Sequence, residues 1–266
     1  MTPGNGKDHP VSPMLAAACL DGKVVTGFLQ STVDSSLLLA ANGMILTVRT
    51  LDGYCHVDDA YNMLLWFFLQ SECTHVVTVG SDQGWRAEDL LRLINFGMKY
   101  DVVAGIFPKK ADPPEWNVLF DQDELWANED GLIECATIGT GFMCLSRNAV
   151  QKLADDAETY DFPTTRNGER FVMENIPMIL ERRIIGRQRY GGDNVLCIKW
   201  RELGGKVFAD PYGHFTHTGT KTYSGCAAEW YKARIECSKE APAPKKPKRQ
   251  RVEEQDTGWR KALGDI

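Results

Sequence analysis

The stretch THVVTVGSDQGWRAEDLLRL, residues 74–93, contains the transition that decides the fold. An apolar run of strand length, 75–79, is followed by the polar pair Ser81 and Asp82, and a helical pattern begins at Ala87. A strand that leads into a helix is the repeating unit of an α/β sheet, and open α/β sheets bind ligands at the carboxyl ends of their strands. We therefore predict that Asp82 contacts a ligand.

The same alternation extends in both directions from this stretch. The apolar patterns predict strands at 14–20, 44–50, 75–79, 100–107, 132–146 and 206–211, and helices at 24–43, 57–70, 87–98, 147–160 and 191–205. The segment 108–131 is rich in proline and acids, and 161–189 has no clear period. Alternating strands and helices predict an α/β fold with a mostly parallel central sheet flanked by helices.

Length and composition set limits on the class of protein. The chain has 266 residues with 43% hydrophobic and 25% charged residues, which is enough for one substantial core and excludes wholesale disorder. No apolar run approaches the roughly 20 residues that cross a bilayer, so no membrane partner is expected. The first residues lack an apolar signal core, which favours a cytoplasmic location. The eight cysteines form no CxxC pair and are expected to be buried free thiols.

The ends of the chain differ from its middle. We predict a flexible N-terminus at 1–13, a folded domain at 14–237 and a disordered basic tail at 238–266. The tail contains KKPKRQR at 245–251, which is able to contact nucleic acid through its positive charge or merely to keep the chain soluble. The net charge of −6 gives the whole chain no attraction to nucleic acid.

Six short motifs follow one another in a characteristic order. They are CLDGKVVTGF at 19–28, SDQGW at 81–85, DVVAGIFPKK at 101–110, IGTGFMCLSR at 138–147, WRELGGKVFADP at 200–211 and HTG at 217–219. In this order the chain resembles the nucleotide-sugar-dependent glycosyltransferases of the GT-A fold, in particular compact members common in bacteriophage genomes. The resemblance covers about 14–225 and implies a single GT-A-like (Rossmann-like) domain.

The resemblance also implies a metal site. In the family, an Asp-x-Asp sequence at a strand end holds Mn²⁺ or Mg²⁺, which neutralises the charge that develops on the donor's diphosphate. The matching residues here are Gly80, Ser81 and Asp82, so the first acid is missing. The resemblance makes Asp82 a metal ligand and Ser81 a donor contact, and His217 completes the metal shell. His214 is the competing histidine, and helix N-capping is the structural alternative for Asp82.

Asp193 is the predicted catalytic residue. Inverting relatives carry Glu-Asp at the start of the corresponding helix, and the aspartate takes the proton from the acceptor hydroxyl as general base. Gly192 replaces the preceding acid in this chain. An aspartate in the first turn of a helix is also favoured by the backbone N–H groups, so a purely structural role remains open.

Further donor contacts are implied by the remaining motifs. They are Asp21, Gly22 and Lys23 in the loop after the first strand, Asn62, and the adjacent Lys109 and Lys110. Asn62 is what this chain retains of an Arg-Ala-Arg-Asn cluster that relatives often carry near the donor phosphates. A plain turn is the alternative for Lys23, and simple solvation is the alternative for the lysine pair.

These features together predict a metal-dependent glycosyltransferase that moves a sugar from a nucleoside-diphosphate donor to a hydroxyl group. The phage relatives and the basic tail point to a hydroxymethylated base in phage DNA as the acceptor, in the host-cell cytoplasm; protein and glycan acceptors remain open. One alternative is a degenerate GT-A module that binds DNA or protein. Another is a transferase that uses a different activated donor.

Overall fold

The computed structural model describes residues 11–53, 56–122, 124–166, 169–231 and 235–237. The helices are α1 (Thr26–Ala41), α2 (Val57–Leu69), α3 (Ala87–Gly97), α4 (Arg147–Asp156), α5 (Gly192–Glu202) and α6 (Ala227–Tyr231). The strands are β1 (Pro13–Cys19), β2 (Thr47–Asp52), β3 (His75–Gly80), β4 (Gln83–Trp85), β5 (Val102–Gly105), β6 (Val118–Leu119), β7 (Leu125–Ala127), β8 (Ile133–Glu134), β9 (Thr137–Ile138), β10 (Phe142–Ser146), β11 (Thr159–Arg166), β12 (Glu169–Pro177), β13 (Arg183–Ile185), β14 (Gln188–Tyr190), β15 (Phe208–Asp210), β16 (His214–Thr218), β17 (Thr222–Cys226) and β18 (Ile235–Cys237).

A nine-stranded sheet forms the centre of the described structure, in the order β18-β7-β8-β15-β5-β10-β3-β1-β2. The pairings make β8 and β10 antiparallel to their neighbours, and the other strands of this sheet run in one direction. The predicted α/β fold with a mostly parallel central sheet flanked by helices is confirmed.

The core lies on both faces of this sheet because its central strands are apolar on both sides. Every residue of β1 is buried. Alternate residues of β1 pack against α2, α4 and α5 on one face and against α1 and α3 on the other. On α2, Met63, Leu64 and Phe68 are fully buried, whereas Phe67 is half-buried beneath the guanidinium of Arg49. Parallel strands covered on both faces read as continuous apolar runs, as they do here.

A smaller sheet, β17-β16-β4, lies beside the carboxyl end of β3. The sequence predicted that β3 leads directly into a helix, but β4 intervenes before α3 begins. The segment around His217 lies beyond the last predicted strand, and it forms the additional strand β16. Because β4 pairs with β16, the end of β3 is joined to residues more than a hundred positions later.

Other element boundaries differ from the prediction for physical reasons. The single strand expected at 132–146 is divided into β8, β9 and β10, and glycines at 139 and 141 lie between the last two. Strand β2 begins at Thr47 rather than at Met44. The unparsed segment 161–189 contains two antiparallel hairpins, β11–β12 and β13–β14. Hairpin β13–β14 is largely exposed and has no buried face to impose an apolar period, whereas β12 buries Met173 and Ile176 against α2.

The remaining predictions concern the cysteines, membrane-spanning segments and the division of the chain into domains. Cys19, Cys73, Cys135, Cys144, Cys197 and Cys226 are buried free thiols, as expected. No helix in the described ranges combines the length and the apolar character that a membrane crossing requires. The predicted basic tail at 238–266 lies outside the described residues, so the proposed division into 1–13, 14–237 and 238–266 stays a prediction.

Candidate functional site

The carboxyl ends of β1, β2 and β3 form one rim, because these three strands are adjacent and parallel. The loop that contains Asp21, Gly22 and Lys23 follows β1 and is tied to the end of β3, since the Val25 N–H donates to the Ser81 carbonyl at 3.0 Å. Gly22 has a φ of 69°, which favours glycine, and it packs beside Asp52 at the end of β2.

The pairing of β4 with β16 places Asp82 beside His217. Thr218 donates its backbone N–H to the Asp82 carbonyl at 2.8 Å, and His217 is in register with Gln83. The His217 Nε2 atom consequently lies 3.5 Å from Asp82 Oδ1. His214 is an odd number of residues away on the same strand, so its side chain projects from the opposite face. The structure therefore brings His217, rather than His214, to Asp82.

The tautomer of His217 follows from its second hydrogen bond. Nδ1 lies 2.9 Å from the carbonyl oxygen of Pro108, and a carbonyl only accepts, so Nδ1 carries the proton. In the neutral ring, Nε2 then turns a lone pair toward the Asp82 carboxylate. Either a proton on Nε2 or a cation between the two atoms would relieve the repulsion between them. A backbone carbonyl that fixes the ring in this way is common behind metal-binding histidines.

Lys110 already supplies one positive charge at this place. Its Nζ donates a hydrogen bond to Asp82 Oδ2. The lysine stem passes over Gly219, where an added Cβ would lie 3.0 Å from the Lys110 Cδ. Burial acts to raise the pKa of Asp82, but the hydrogen bonds and positive charges of Lys110 and of a protonated His217 outweigh it and lower the pKa to about 2. Asp82 is therefore a carboxylate at any physiological pH.

The donor set is compatible with a divalent cation. An oxygen and a nitrogen 3.5 Å apart accommodate an ion at about 2.1 Å from each, with an angle of about 110° at the ion. Carboxylate oxygen with imidazole nitrogen suits Mn²⁺. The described residues contain no group of three or more metal-ligating side chains, so water and ligand oxygens would complete the shell. Asp82 does not cap α3, because the N-cap position of that helix is Arg86.

Asp193 lies in the first turn of α5, close to Gly139. Its Oδ1 accepts the N–H of Asn194 at 2.8 Å. Its Oδ2 lies near Gly139, where an added Cβ would be 3.6 Å away. Burial raises the pKa of Asp193, and the nearby carboxylate of Asp58 adds to the increase. A carboxyl group whose pKa is raised accepts a proton more readily, which suits a general base.

The other predicted donor contacts have different environments. Asn62 is fully buried, and its amide exchanges hydrogen bonds of 2.8 and 2.7 Å with the backbone of Leu180. The amide thus holds α2 against the chain before β13 and has no solvent-exposed surface. Lys23 is 80% exposed and lies 3.6 Å from Asp21. Lys109 is exposed and lies 3.4 Å from Glu115, and its charge acts on Asp193.

Two groups at the rim were not predicted. Asp52 lies at the end of β2, where the reasoning that selected Asp82 applies equally, but it was not among the predicted site residues. Tyr61 donates its hydroxyl to the Val79 carbonyl at 2.8 Å, and burial with the charge of Asp82 raises its pKa. No sequence signal marks Tyr61, because it occupies an ordinary core position of α2.

Comparisons with known proteins bear on the fold. No protein-family model matches the chain, and a search of curated proteins finds no relative. Among solved structures, A197 from STIV is 14% identical with a TM-score of 0.50, over 89% of this chain and 99% of that chain. Residues 1–349 of S. aureus TarS are 15% identical, over 56% and 50% of the chains, with a TM-score of 0.36.

A third structure is a glycosyltransferase involved in the glycosylation of the major capsid of PBCV-1. It is 11% identical, over 54% of this chain and 63% of that one, with a TM-score of 0.30. At these identities a likeness concerns the fold alone, and of these three structures A197 has a TM-score that reaches 0.50. The function of the chain must therefore be argued from its own residues.

Proposed function

We propose that this protein is a glycosyltransferase that moves a sugar from a nucleoside-diphosphate donor to a hydroxyl acceptor. The observation that carries the proposal is the convergence of Asp82 and His217, whose facing atoms are 3.5 Å apart at the carboxyl end of β3. A ligand-binding rim at this end of a parallel sheet is the general rule for open α/β folds.

The donor side of the proposal rests on charge. Asp82 and His217 would hold Mn²⁺ or Mg²⁺, and the bound ion would neutralise the charge that the diphosphate gains as it leaves. Lys110 is the second cation within reach of the same phosphates, because its Nζ already lies on Asp82. The loop at 21–23 and Ser81 line the rest of the rim, and the main-chain bond from Val25 to Ser81 holds them together.

The acceptor side of the proposal rests on Asp193. Its carboxylate accepts the proton of the acceptor hydroxyl while the hydroxyl oxygen attacks the anomeric carbon of the sugar. The bond between that carbon and the β-phosphate oxygen breaks, and the diphosphate departs with the electron pair. The raised pKa of Asp193 serves this step, because the base must hold the proton that it receives.

The most specific part of the proposal is the chemical class of the acceptor. A hydroxymethylated base in phage DNA has a hydroxyl group that is exposed once the base leaves the stack. Incubating such DNA with candidate nucleotide sugars and measuring the mass of the released nucleosides tests this directly. A mass increase equal to one sugar supports DNA as the acceptor, and transfer to protein or glycan alone excludes it.

Calorimetric titration of the protein with nucleoside diphosphates in the presence of Mn²⁺ tests the donor site. We expect one diphosphate to bind, and we expect Asp82→Asn to weaken its Mn²⁺-dependent binding by tenfold or more, or about 1.4 kcal/mol. The matched control is Asp34→Asn, since Asp34 is exposed on α1. If no nucleoside diphosphate binds with or without Mn²⁺, the proposal is withdrawn.

One observation favours a second candidate, a non-catalytic module that binds DNA or protein. Lys110 neutralises Asp82 without any metal, so the carboxylate does not require a cation for its charge balance. In that case Asp82→Asn leaves every binding activity unchanged, and diphosphates do not bind. The same calorimetric experiment thus separates the two candidates.

A further inference from the structure

The hairpin β13–β14 leads directly into the helix that carries Asp193. Only Gly191 separates the end of β14 from the start of α5. The base of the hairpin is held on two sides. Arg182 forms an ion pair with Asp58 of α2 at 3.0 Å, and Glu181 accepts from the buried Lys199 of α5 at 2.7 Å. The hairpin is therefore a fixed extension of the acceptor side of the site.

Positive charge accumulates along this hairpin. The stretch RRIIGRQR, 182–189, contains arginines at 182, 183, 187 and 189 and no carboxylate. Arg182 and Arg183 are paired with Asp58 and Glu181. Arg187 and Arg189 are exposed, and in the part of the chain that the structure describes neither forms an ion pair. Two guanidinium groups are thus available to an external anion.

Apolar side chains lie among these charges. The register places Ile184 directly opposite Arg189, so the two share one face of the ribbon. Ile184 is 75% exposed and Ile185 is 44% exposed. Gly186 makes the turn between the strands with a φ of 64°. A partner that covered these isoleucines would gain the hydrophobic free energy of their burial.

A ribbon of this composition matches the chemistry of nucleic acid. Two-stranded ribbons fit the grooves of B-DNA, arginines neutralise phosphates, and apolar side chains insert between base steps. Each strand of the ribbon has three residues and is therefore about 10 Å long. This length is about that of three base steps of 3.4 Å along a duplex. A duplex held at the tip would therefore bring a nearby base close to α5.

We propose that the β13–β14 hairpin binds the phosphodiester backbone of a DNA duplex and holds the duplex beside Asp193. The inference rests on the proposed function in one respect, namely that the acceptor lies at Asp193. The binding surface itself needs neither a donor nor a metal. The hairpin also differs from the basic cluster at 245–251, because it belongs to the described fold and adjoins the site.

Fluorescence anisotropy with a labelled DNA duplex of about two helical turns tests the proposal in the full chain. We expect the double variant Arg187→Gln, Arg189→Gln to bind at least tenfold more weakly. The slope of log affinity against log salt should decrease by about 1.8, because each phosphate contact contributes about 0.9. Ile184→Ser should weaken binding with little change of slope, since it removes an apolar contact and no charge.

Controls separate the possible outcomes. Arg201→Gln removes a guanidinium at the opposite end of α5, where it is paired with Asp121, and should bind DNA as the unmodified protein does. Equal affinity and slope for the double variant and the unmodified protein would overturn the proposal, as would the absence of DNA binding by the unmodified protein. The proposal would also be overturned, in favour of a membrane surface, if the double variant no longer sedimented with phosphatidylserine vesicles but kept its DNA affinity.

The double variant is also titrated with nucleoside diphosphate and Mn²⁺. Donor binding should be unchanged, because the hairpin arginines lie on the acceptor side. If donor binding is absent from every variant while the loss of DNA affinity occurs as expected, sugar transfer fails and the hairpin stands as a DNA-binding surface. If donor binding is present and DNA affinity is insensitive to the hairpin, the inference fails and the donor site stands.

Discussion

At the scale of single residues, the most informative contact is the hydrogen bond from Lys110 to Asp82. The lysine ammonium competes with a divalent cation for the same carboxylate, so we expect a metal ion to displace it. A nucleoside diphosphate offers Lys110 a second anionic partner. Donor binding should therefore release Asp82 for the metal, which couples the two binding events thermodynamically.

This coupling predicts the behaviour of Lys110→Met. Without the ammonium group, Mn²⁺ alone should bind more tightly than it does to the unmodified protein. The enhancement of Mn²⁺ affinity by nucleoside diphosphate should shrink at least fivefold, about the lower limit of ordinary coupling energies. Calorimetric Mn²⁺ titrations with and without nucleoside diphosphate measure both effects. Lys206→Met, which removes an exposed and distant lysine, is the control. Unchanged Mn²⁺ affinity in Lys110→Met would refute the competition.

Asp193 gives a second prediction at this scale. Because its pKa is raised in the fold, the ionised form is less favourable there than in the unfolded chain. The destabilisation is present at neutral pH and disappears as the pH falls below the ordinary value of 3.8. Asp193→Asn should therefore raise the melting temperature at pH 7, with an advantage that vanishes near pH 4, while it abolishes transfer and spares donor binding. A melting temperature below that of the unmodified protein at pH 7 contradicts the raised pKa.

At the scale of elements, the pairing of β4 with β16 is what assembles the metal site. Gly84 lies at the centre of this pairing, opposite Thr216. A Cβ at Gly84 would lie 2.7 Å from the Thr216 Oγ1 and 3.3 Å from the backbone of Gly27. The absence of a side chain therefore allows β4 to lie between β16 and α1.

Gly84→Ala should consequently separate β4 from β16 or from α1. We expect a loss of about 1–3 kcal/mol in the free energy of unfolding and weaker Mn²⁺ binding, because His217 would move relative to Asp82. Chemical denaturation and calorimetry measure these quantities. Gly27→Ala is the matched control, since its Cβ would meet Gly84 at an ordinary 3.6 Å and alanine favours the helix. Full stability in Gly84→Ala would show that the close approach is not required.

At the scale of the whole molecule, the sequence predicted the central sheet better than the rim. Strands β1 and β3 and helices α2, α3 and α5 were predicted because burial imposes an apolar pattern on them. The pairing of His217 with Asp82 followed only from the family resemblance, because no local pattern reports a contact between such distant positions. Asn62 is the opposite case. The resemblance predicted a donor contact at this position, and in the structure the side chain instead holds the backbone of Leu180.

The hairpin β13–β14 was missed for a related reason. Two adjacent arginines are followed by two adjacent isoleucines, so neither the helical nor the strand template applies. Its four arginines became meaningful only when the fold placed them directly before α5. The architecture of the molecule thus turns a stretch without a readable pattern into a surface next to the proposed base.

The measurement that tests the account most directly is the position of Mn²⁺ in crystals grown with Mn²⁺ and the nucleoside diphosphate that binds best. Anomalous diffraction locates the ion without reference to any assumed mechanism. The account predicts one peak at about 2.1–2.2 Å from both Asp82 Oδ1 and His217 Nε2, with phosphate oxygens in its shell and Lys110 turned toward the diphosphate. A bound diphosphate with no peak between Asp82 and His217, or with Lys110 still bonded to Asp82, would contradict it.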